Sequence, residues 1–138
     1  MPGTLEIRVQ EASPVALAPG PAGMTLLDSS GAVLPFDPSV TAPDLPVAAS
    51  ADGAVARVLA SALRADPALF ARIRTARRVH GDVVLDLDGS RLWFGPAATA
   101  EDIRAVMAVA QDLARRGRRY GELDGRFAGQ VIVRRAGA

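Results

Sequence analysis

The stretch from Val79 to Phe94 constrains the fold more than any other part of the chain. Val83, Leu85 and Leu87 alternate with Asp82, Val84 and Asp86, then Asp88-Gly89 follows and Leu92-Trp93-Phe94 returns. A period of two sets successive side chains on opposite faces of a pleated strand, so one face here is apolar. Asp-Gly between two such runs signals a two-residue hairpin, because that turn needs positive φ, which glycine adopts freely. The pattern predicts one strand over Val79–Leu87 and a second over Ser90–Phe94, ended by Gly95-Pro96. An isolated hairpin is marginal in water, so the rest of the chain must extend the sheet and cover its apolar face.

Two helical patterns provide the cover. Val55, Val58, Leu59, Ala62 and Leu63 recur at helical spacing after Asp52, a good N-cap. Asp66-Pro67 breaks this helix, and a further turn runs through Leu69, Phe70 and Ile73, with Pro67 fitting as its first residue. The second helix opens at Thr99 or Ala100, where Thr99 and Asp102 resemble a capping box. Ile103, Val106, Met107, Ala110, Leu113 and Ala114 line its buried face. Arg115, Arg116, Arg118 and Arg119 suit the negative end of its dipole, and Gly117 terminates it.

More strands extend the sheet. Leu5, Ile7 and Val9 alternate with polar neighbours over Thr4–Gln10, and Val15-Ala16-Leu17 continues after Pro14. Residues 18–23 read as a Pro/Gly loop. Met24–Leu27 and Gly31–Leu34 flank the turn formers Asp28 to Gly31, a second hairpin. Residues 35–53, with four prolines, read as an extended surface connection anchored by Leu45-Pro46-Val47. The chain turns at Gly125 and closes with the strand Gln130-Val131-Ile132-Val133. Adjacent hairpins between helices predict an α+β fold, an antiparallel or mixed sheet with two main helices on one face, within a single domain over residues 1–138.

Composition narrows the function. The chain has 138 residues, 49% of them apolar, long enough for a real core. Net charge is +1, which selects no partner. There is no cysteine, which removes disulfides, thiolate nucleophiles and cysteine-ligated metals. No apolar run approaches a bilayer span and no signal peptide is visible at the start, so a soluble chain is expected. The single histidine, His80, has no partners at zinc-ligand spacing. Asp82, Asp86 and Asp88 lack the further oxygen ligands of a calcium loop and read as a solvated strand face. No nucleophile elbow, phosphate-binding glycine motif or singled-out carboxylate pair occurs, so neither catalysis, cofactor nor small-molecule substrate is expected. The basic run Arg115–Arg119 has acidic neighbours and only Tyr120 for stacking, which argues against nucleic acid.

A C-terminal strand tends to lie at a sheet edge, with backbone N–H and C=O groups free to pair with a partner strand. No proline follows Gly117, so nothing in the sequence blocks such pairing. Arg134 and Arg135 beside it would restrain self-association.

The segment Tyr120-Gly121-Glu122-Leu123-Asp124-Gly125-Arg126-Phe127, followed by Ala128-Gly129-Gln130-Val131-Ile132-Val133, resembles the C-terminal signature of the FtsQ/DivIB family of bacterial cell-division proteins. Ser13-Pro14-Val15-Ala16, Leu26–Val33, Asp44-Leu45-Pro46-Val47, Thr75-Ala76-Arg77-Arg78 and the hairpin ending Phe94-Gly95 match further family pieces in order. The resemblance spans about residues 5 to 135. Gly125 stands where the family has an apolar residue, which bears on the local pairing register.

The resemblance implies an FtsQ-type β domain, with residues 1–12 as the strand leading from an upstream POTRA domain and membrane helix. It implies a non-enzymatic divisome scaffold on the extracytoplasmic face of the membrane, at the septum. Its partners would be small single-pass division proteins of the FtsB and FtsL type, added as a strand at the C-terminal edge. Carried over by position, Arg126 and Phe127 would anchor the partner. Ala128, Gly129, Gln130, Val131, Ile132, Val133 and Arg135 would form the edge, and Arg77 would meet an acidic side chain. A different envelope adaptor using the same edge is the alternative, ahead of a small basic nucleic-acid-binding domain.

Overall fold

The structure, a computed structural model, describes residues 13–35 and 44–135. The expected strand over Thr4–Gln10 lies outside the described residues. In chain order the first half contains β1 (Ala16–Gly20), β2 (Gly23–Leu27), β3 (Val33–Leu34), β4 (Val47–Ala48), α1 (Gly53–Ala65) and α2 (Pro67–Arg72). The second contains β5 (Thr75–Val79), β6 (Asp82–Asp86), β7 (Arg91–Phe94), α3 (Ala100–Arg115), β8 (Glu122–Phe127) and β9 (Gln130–Arg134).

The strands form one mixed sheet in the order β3-β2-β1-β4-β5-β6-β7-β8-β9. The pairs β1–β4, β4–β5 and β7–β8 are parallel and the others antiparallel. A parallel pair cannot be joined by a tight turn, and the helices supply two of the crossovers. α1 and α2 carry the chain from β4 to β5, and α3 carries it from β7 to β8. The α+β architecture with helices on one face is therefore observed.

Local chemistry starts each helix where the pattern places it. The Asp52 carboxylate accepts from the N–H groups of Ala54 and Val55 at 2.8 and 3.3 Å. Asp66 accepts from Leu69 N–H at 3.1 Å, with Pro67 in the first turn of α2. Thr99 and Asp102 close the expected capping box, each accepting from the other's backbone N–H. α1 and α3 pack against each other and the sheet. Val55, Leu59, Ile103 and Val106 meet Val83, Leu85, Leu92, Phe94 and Leu123 in one buried cluster. Burying each large apolar side chain contributes roughly 1.5–3 kcal/mol, an upper figure because the unfolded chain already hides part of that surface. On the sheet's other side Leu26 and Leu34 form a small cluster with Leu17 and Leu45.

Four sequence expectations change. The predicted strand Val79–Leu87 is two strands, β5 and β6, joined at His80-Gly81 with φ of 50° and 85°. The alternation runs on through both, which hides the turn, and glycine lets the backbone reverse there. The loop expected over residues 18–23 shrinks to Pro21-Ala22, since Ala18 to Gly20 pair with Thr25 to Gly23. Pro19 is tolerated because β4 pairs with β1 only at Leu17, so no inner neighbour needs its missing N–H. Val47 belongs to a central strand rather than a surface connection: Leu17 N–H donates to Pro46 O at 2.9 Å, and Val47 N–H donates to Arg74 O at 3.0 Å. A two-residue strand has no periodicity to read.

The fourth change concerns the C-terminus. Gly125 lies inside β8, and the turn falls at Ala128-Gly129, with Gly129 at φ 71°. A Cβ on Gly125 would stand 2.5 Å from Val106 Cγ2 and 3.4 Å from Phe94 Cε1. The missing side chain is what lets α3 sit down on β8. Gly125→Ala should therefore cost about 1–3 kcal/mol in urea denaturation. Adding Val106→Ala should recover part of that loss; a Gly125→Ala variant as stable as the parent would refute this packing.

Candidate interaction edge

β9 pairs only with β8 and forms one margin of the sheet; β3 forms the other. Its second row of backbone groups faces away from the sheet, and no strand among the described residues lies beside it. Val131 is half-buried against the helix-side core, whereas Ile132 and Val133 are exposed. Phe127, at the end of β8, is 49% exposed, a high value for a phenylalanine and a candidate contact.

Between Asp124 and Phe127 the ladder shifts. Asp124 pairs with Ile132 and Phe127 with Gln130, so two residues of β8 lie between these pairs against one of β9. This is a β-bulge at Gly125-Arg126, and it re-aims side chains beside it. Arg126 turns onto the open face of the sheet, its guanidinium carbon 4.6 Å from the Trp93 ring centroid and 5.6 Å from that of Phe127. A guanidinium so placed is attracted by the negative face of each ring.

Arg126 is also held from below. Its Nε donates to Asp124 Oδ1 at 2.8 Å, its backbone N–H to the same oxygen at 3.1 Å, and NH1 to Asp82 Oδ2 at 3.0 Å. Asp124 is wholly buried and accepts again from Arg134 NH2 at 3.1 Å. Burial alone would raise the Asp124 pKa; the hydrogen bonds from Arg126 and Arg134 outweigh it and hold the carboxyl below the ordinary aspartate range. The same contact with Asp124, reinforced by Asp82, raises the Arg126 pKa against its own desolvation.

These contacts belong to a longer ribbon across the open face. Arg77 meets Asp86 at 3.4 Å, Asp86 meets Arg91 at 2.9 Å, and Arg91 meets Glu122 at 3.5 Å. Glu122 meets Arg134 at 3.3 Å, and Arg134 leads through Asp124 and Arg126 to Asp82. Four arginines and four carboxylates thus alternate over five strands. Desolvation pushes the Asp86 pKa up, but hydrogen bonds from Arg91 and Thr75 bring it below the ordinary value. Asp82 and Asp86, expected as a solvated face, are instead ion-paired.

The structure brings Arg126, Phe127, Gln130, Val131, Ile132 and Val133 together at one margin. Ala128 and Gly129 form the turn rather than edge strand, because Gly129 takes the positive φ that reverses the chain. Arg135 follows β9 and is exposed. Arg77 is elsewhere: β6, β7 and β8 separate its strand from β9, about 19 Å at the usual strand spacing. Trp93 and Asp124 were not singled out as site residues from sequence, and Arg134 was named only as a charge restraining self-association. Their period-two positions mark them as one face, but only the α3 crossover sets β8 beside β7, pairing Trp93 with Asp124.

Among the described residues no three His, Cys, Asp or Glu side chains are placed to hold a metal ion, and no helix is long and apolar enough to cross a membrane. Arg115 and Arg116 both reach Asp112, at 3.6 and 3.2 Å.

No protein family matches the sequence as a family profile, and no curated protein matches it. Among solved structures, the chain is similar to the major extracytoplasmic domain of the bacterial cell-division protein DivIB from Geobacillus stearothermophilus. Identity is 21%, the TM-score is 0.53, and the match covers 76% of this chain and 96% of that one. The fold is that of a DivIB-type extracytoplasmic domain. At this identity the likeness concerns the fold.

The charge on Asp124 gives the edge a pH dependence. As pH falls, the unfolded chain protonates this carboxyl before the native one does, so native stability drops. Stability should be full at pH 7 and decline from about pH 4–5 downward. Asp124→Ala should lose about 2 kcal/mol at pH 7, and less at pH 3, in chemical denaturation. An equal loss at both pH values would show that the charge on Asp124 does not support the bulge.

Proposed function

We propose that this domain is a non-enzymatic scaffold of the bacterial division machinery, working on the extracytoplasmic side of the cell membrane at the septum. Its partner adds a β-strand to β9. The single observation that carries this is a margin strand with one backbone row unpaired among the described residues, two exposed β-branched side chains and an exposed phenylalanine beside it. Strand addition draws affinity from main-chain hydrogen bonds and selectivity from flanking side chains. The likeness of the fold to a division-protein domain supports the cellular setting, and the resemblance of Tyr120–Val133 to the FtsQ/DivIB signature names the partner class: small single-pass proteins of the FtsB and FtsL type.

Within this reading, Phe127 and Ile132 supply apolar contact on the open face, Val131 and Val133 on the helix side. Arg126 has most of its donors engaged by Asp124 and Asp82, so its role is to hold Phe127 at the margin rather than to bind through free charge. Arg135 is the exposed cation at the far end, suited to a carboxylate on the incoming strand. Arg77 lies too far along the sheet for the same strand to reach it.

An extracellular peptide from an FtsB-type partner should shift the amide resonances of Gln130 to Arg134 and leave those of β3 in place. Val133→Pro should weaken binding at least tenfold, because proline removes a donor and obstructs pairing on an edge. Val33→Pro, on the opposite margin, should bind normally. Circular dichroism melting checks that both variants fold. Unmoved β9 resonances in the presence of the peptide would end the proposal.

A further inference from the structure

Charge is divided unequally between the helix layer and the rest of the described molecule. Residues 53–72 and 100–119, which hold the three helices and the turn after α3, contain eight arginines and four carboxylates. The other described residues contain seven arginines and eight carboxylates. The strands' charges are largely spent on one another in the ribbon, whereas the helix layer keeps an excess of positive charge.

Helical geometry sets that excess on an outward surface. A helix turns about 100° per residue, so residues seven or eleven apart fall within about 20° of one another. Arg57 and Arg64 therefore share one stripe of α1, and Arg104 and Arg115 share one stripe of α3. All four are exposed. α1 buries nearly every other position, which leaves the Arg57–Arg64 stripe turned away from the protein. On α3, Ile103, Val106, Met107 and Ala110 are buried, and the arginine stripe lies roughly 120° from their midline. α1 and α3 pack side by side, so both stripes belong to one two-helix layer. Arg116, Arg118 and Arg119 extend it past the end of α3, all exposed.

The carboxylates of the layer are mostly engaged. Asp66 caps α2, Asp102 completes the α3 capping box, and Asp112 is shared by Arg115 and Arg116, which leaves Glu101. Arg57, Arg64, Arg104, Arg118 and Arg119 form no ion pair among the described residues.

The guanidinium groups are spread rather than gathered. A Cβ on Gly53 would stand 3.3 Å from Arg57 NH1, so that head lies back over the start of α1. Arg64 NH2 instead donates to Ser61 Oγ at 3.2 Å, nearer the other end. Charges spaced along two helices suit many phosphates in one plane better than a single small anion. The exposed large apolar side chains among the described residues are Met24, Val33, Phe127, Ile132 and Val133, none of them on a helix. The surface thus has nothing to insert among acyl chains. Tyr120, the ring beside the basic run, is half-buried, which disfavours base stacking.

We propose that the helix layer rests on an anionic phospholipid surface, held there by these arginines through charge alone. The proposal takes the presence of a membrane from the scaffold role above. β9, at the side of the sheet, stays open to its strand while the helices face the lipid. Each arginine within a Debye length of an anionic surface strengthens binding about fivefold, and guanidinium forks match phosphate oxygens in pairs.

Vesicles of phosphatidylglycerol and phosphatidylcholine are the probe, cosedimented with the chain in the absence of any partner peptide. Binding is expected at about 50 mM salt, at least tenfold weaker at about 0.5 M, and absent with phosphatidylcholine alone. Arg57→Gln combined with Arg64→Gln should weaken binding about twentyfold, as should Arg104→Gln combined with Arg115→Gln. Arg77→Gln, on the open face, should stay within about twofold. Glutamine suits exposed helix positions, and unchanged circular dichroism melting checks that the variants fold. A spin-labelled lipid headgroup should broaden the amides of α1 and α3 before those of the strands. Equal binding to neutral vesicles, equal loss on Arg77→Gln, strand amides broadened first, or tighter binding of duplex DNA than of vesicles would each overturn the proposal. Strand addition is measured on β9 without lipid, and lipid binding without peptide, so either can fail while the other stands.

Discussion

The buried carboxylate of Asp124 is the interaction on which the C-terminal half of the molecule depends. A charge with no solvent exposure is tolerable only where donors surround it, and Asp124 has the backbone N–H and guanidinium of Arg126 and the guanidinium of Arg134. Those donors come from the bulge in its own strand and from β9. The single carboxylate therefore fixes both the shift in register and the attachment of the margin strand. Gly125 permits the bulge from the other side, since any side chain there would meet Val106 on α3.

From this follows the character of the margin. An open edge is a hazard unless charge or shape discourages self-pairing. Here Arg134 and Arg135 mark its end, and the bulge twists its start. The apolar side chains that remain exposed, Phe127, Ile132 and Val133, sit between those two devices. The ionic ribbon behind them ties five strands together on the face opposite α1 and α3, doing with alternating charge what those helices do on the other face with apolar packing. Its exposed members are individually weak, and their value lies in forming a connected network around one buried carboxylate.

The two ends of the sheet differ in chemistry. At β9 the surface is apolar with its charges satisfied among themselves, which suits another polypeptide. At the β2–β3 turn the surface is polar, with Asp28 and Ser30 hydrogen-bonded to each other and Arg57 and Arg64 exposed on α1.

Local pattern made much of this legible. The Asp88-Gly89 hairpin, the caps at Asp52 and Thr99, the helix break at Asp66-Pro67, the buried faces of α1 and α3 and the existence of a C-terminal strand all rest on interactions within a few residues, so the sequence alone determined them. The strand Gln130–Val133 could be named for the same reason, whereas Arg126 and Phe127 were named from the family resemblance, with Gly125 flagged as the place where register was in question. The sequence could not reveal that Val47 sits in mid-sheet, that His80-Gly81 reverses the chain, or that Asp124 is buried beneath Arg126 and beside Trp93. Those facts depend on which strands become neighbours. Neighbourhood is set by the crossovers through α1, α2 and α3, whose cost and reward are decided by packing between residues far apart in the chain. Tertiary structure alone turned a row of polar strand positions into an ionic ribbon.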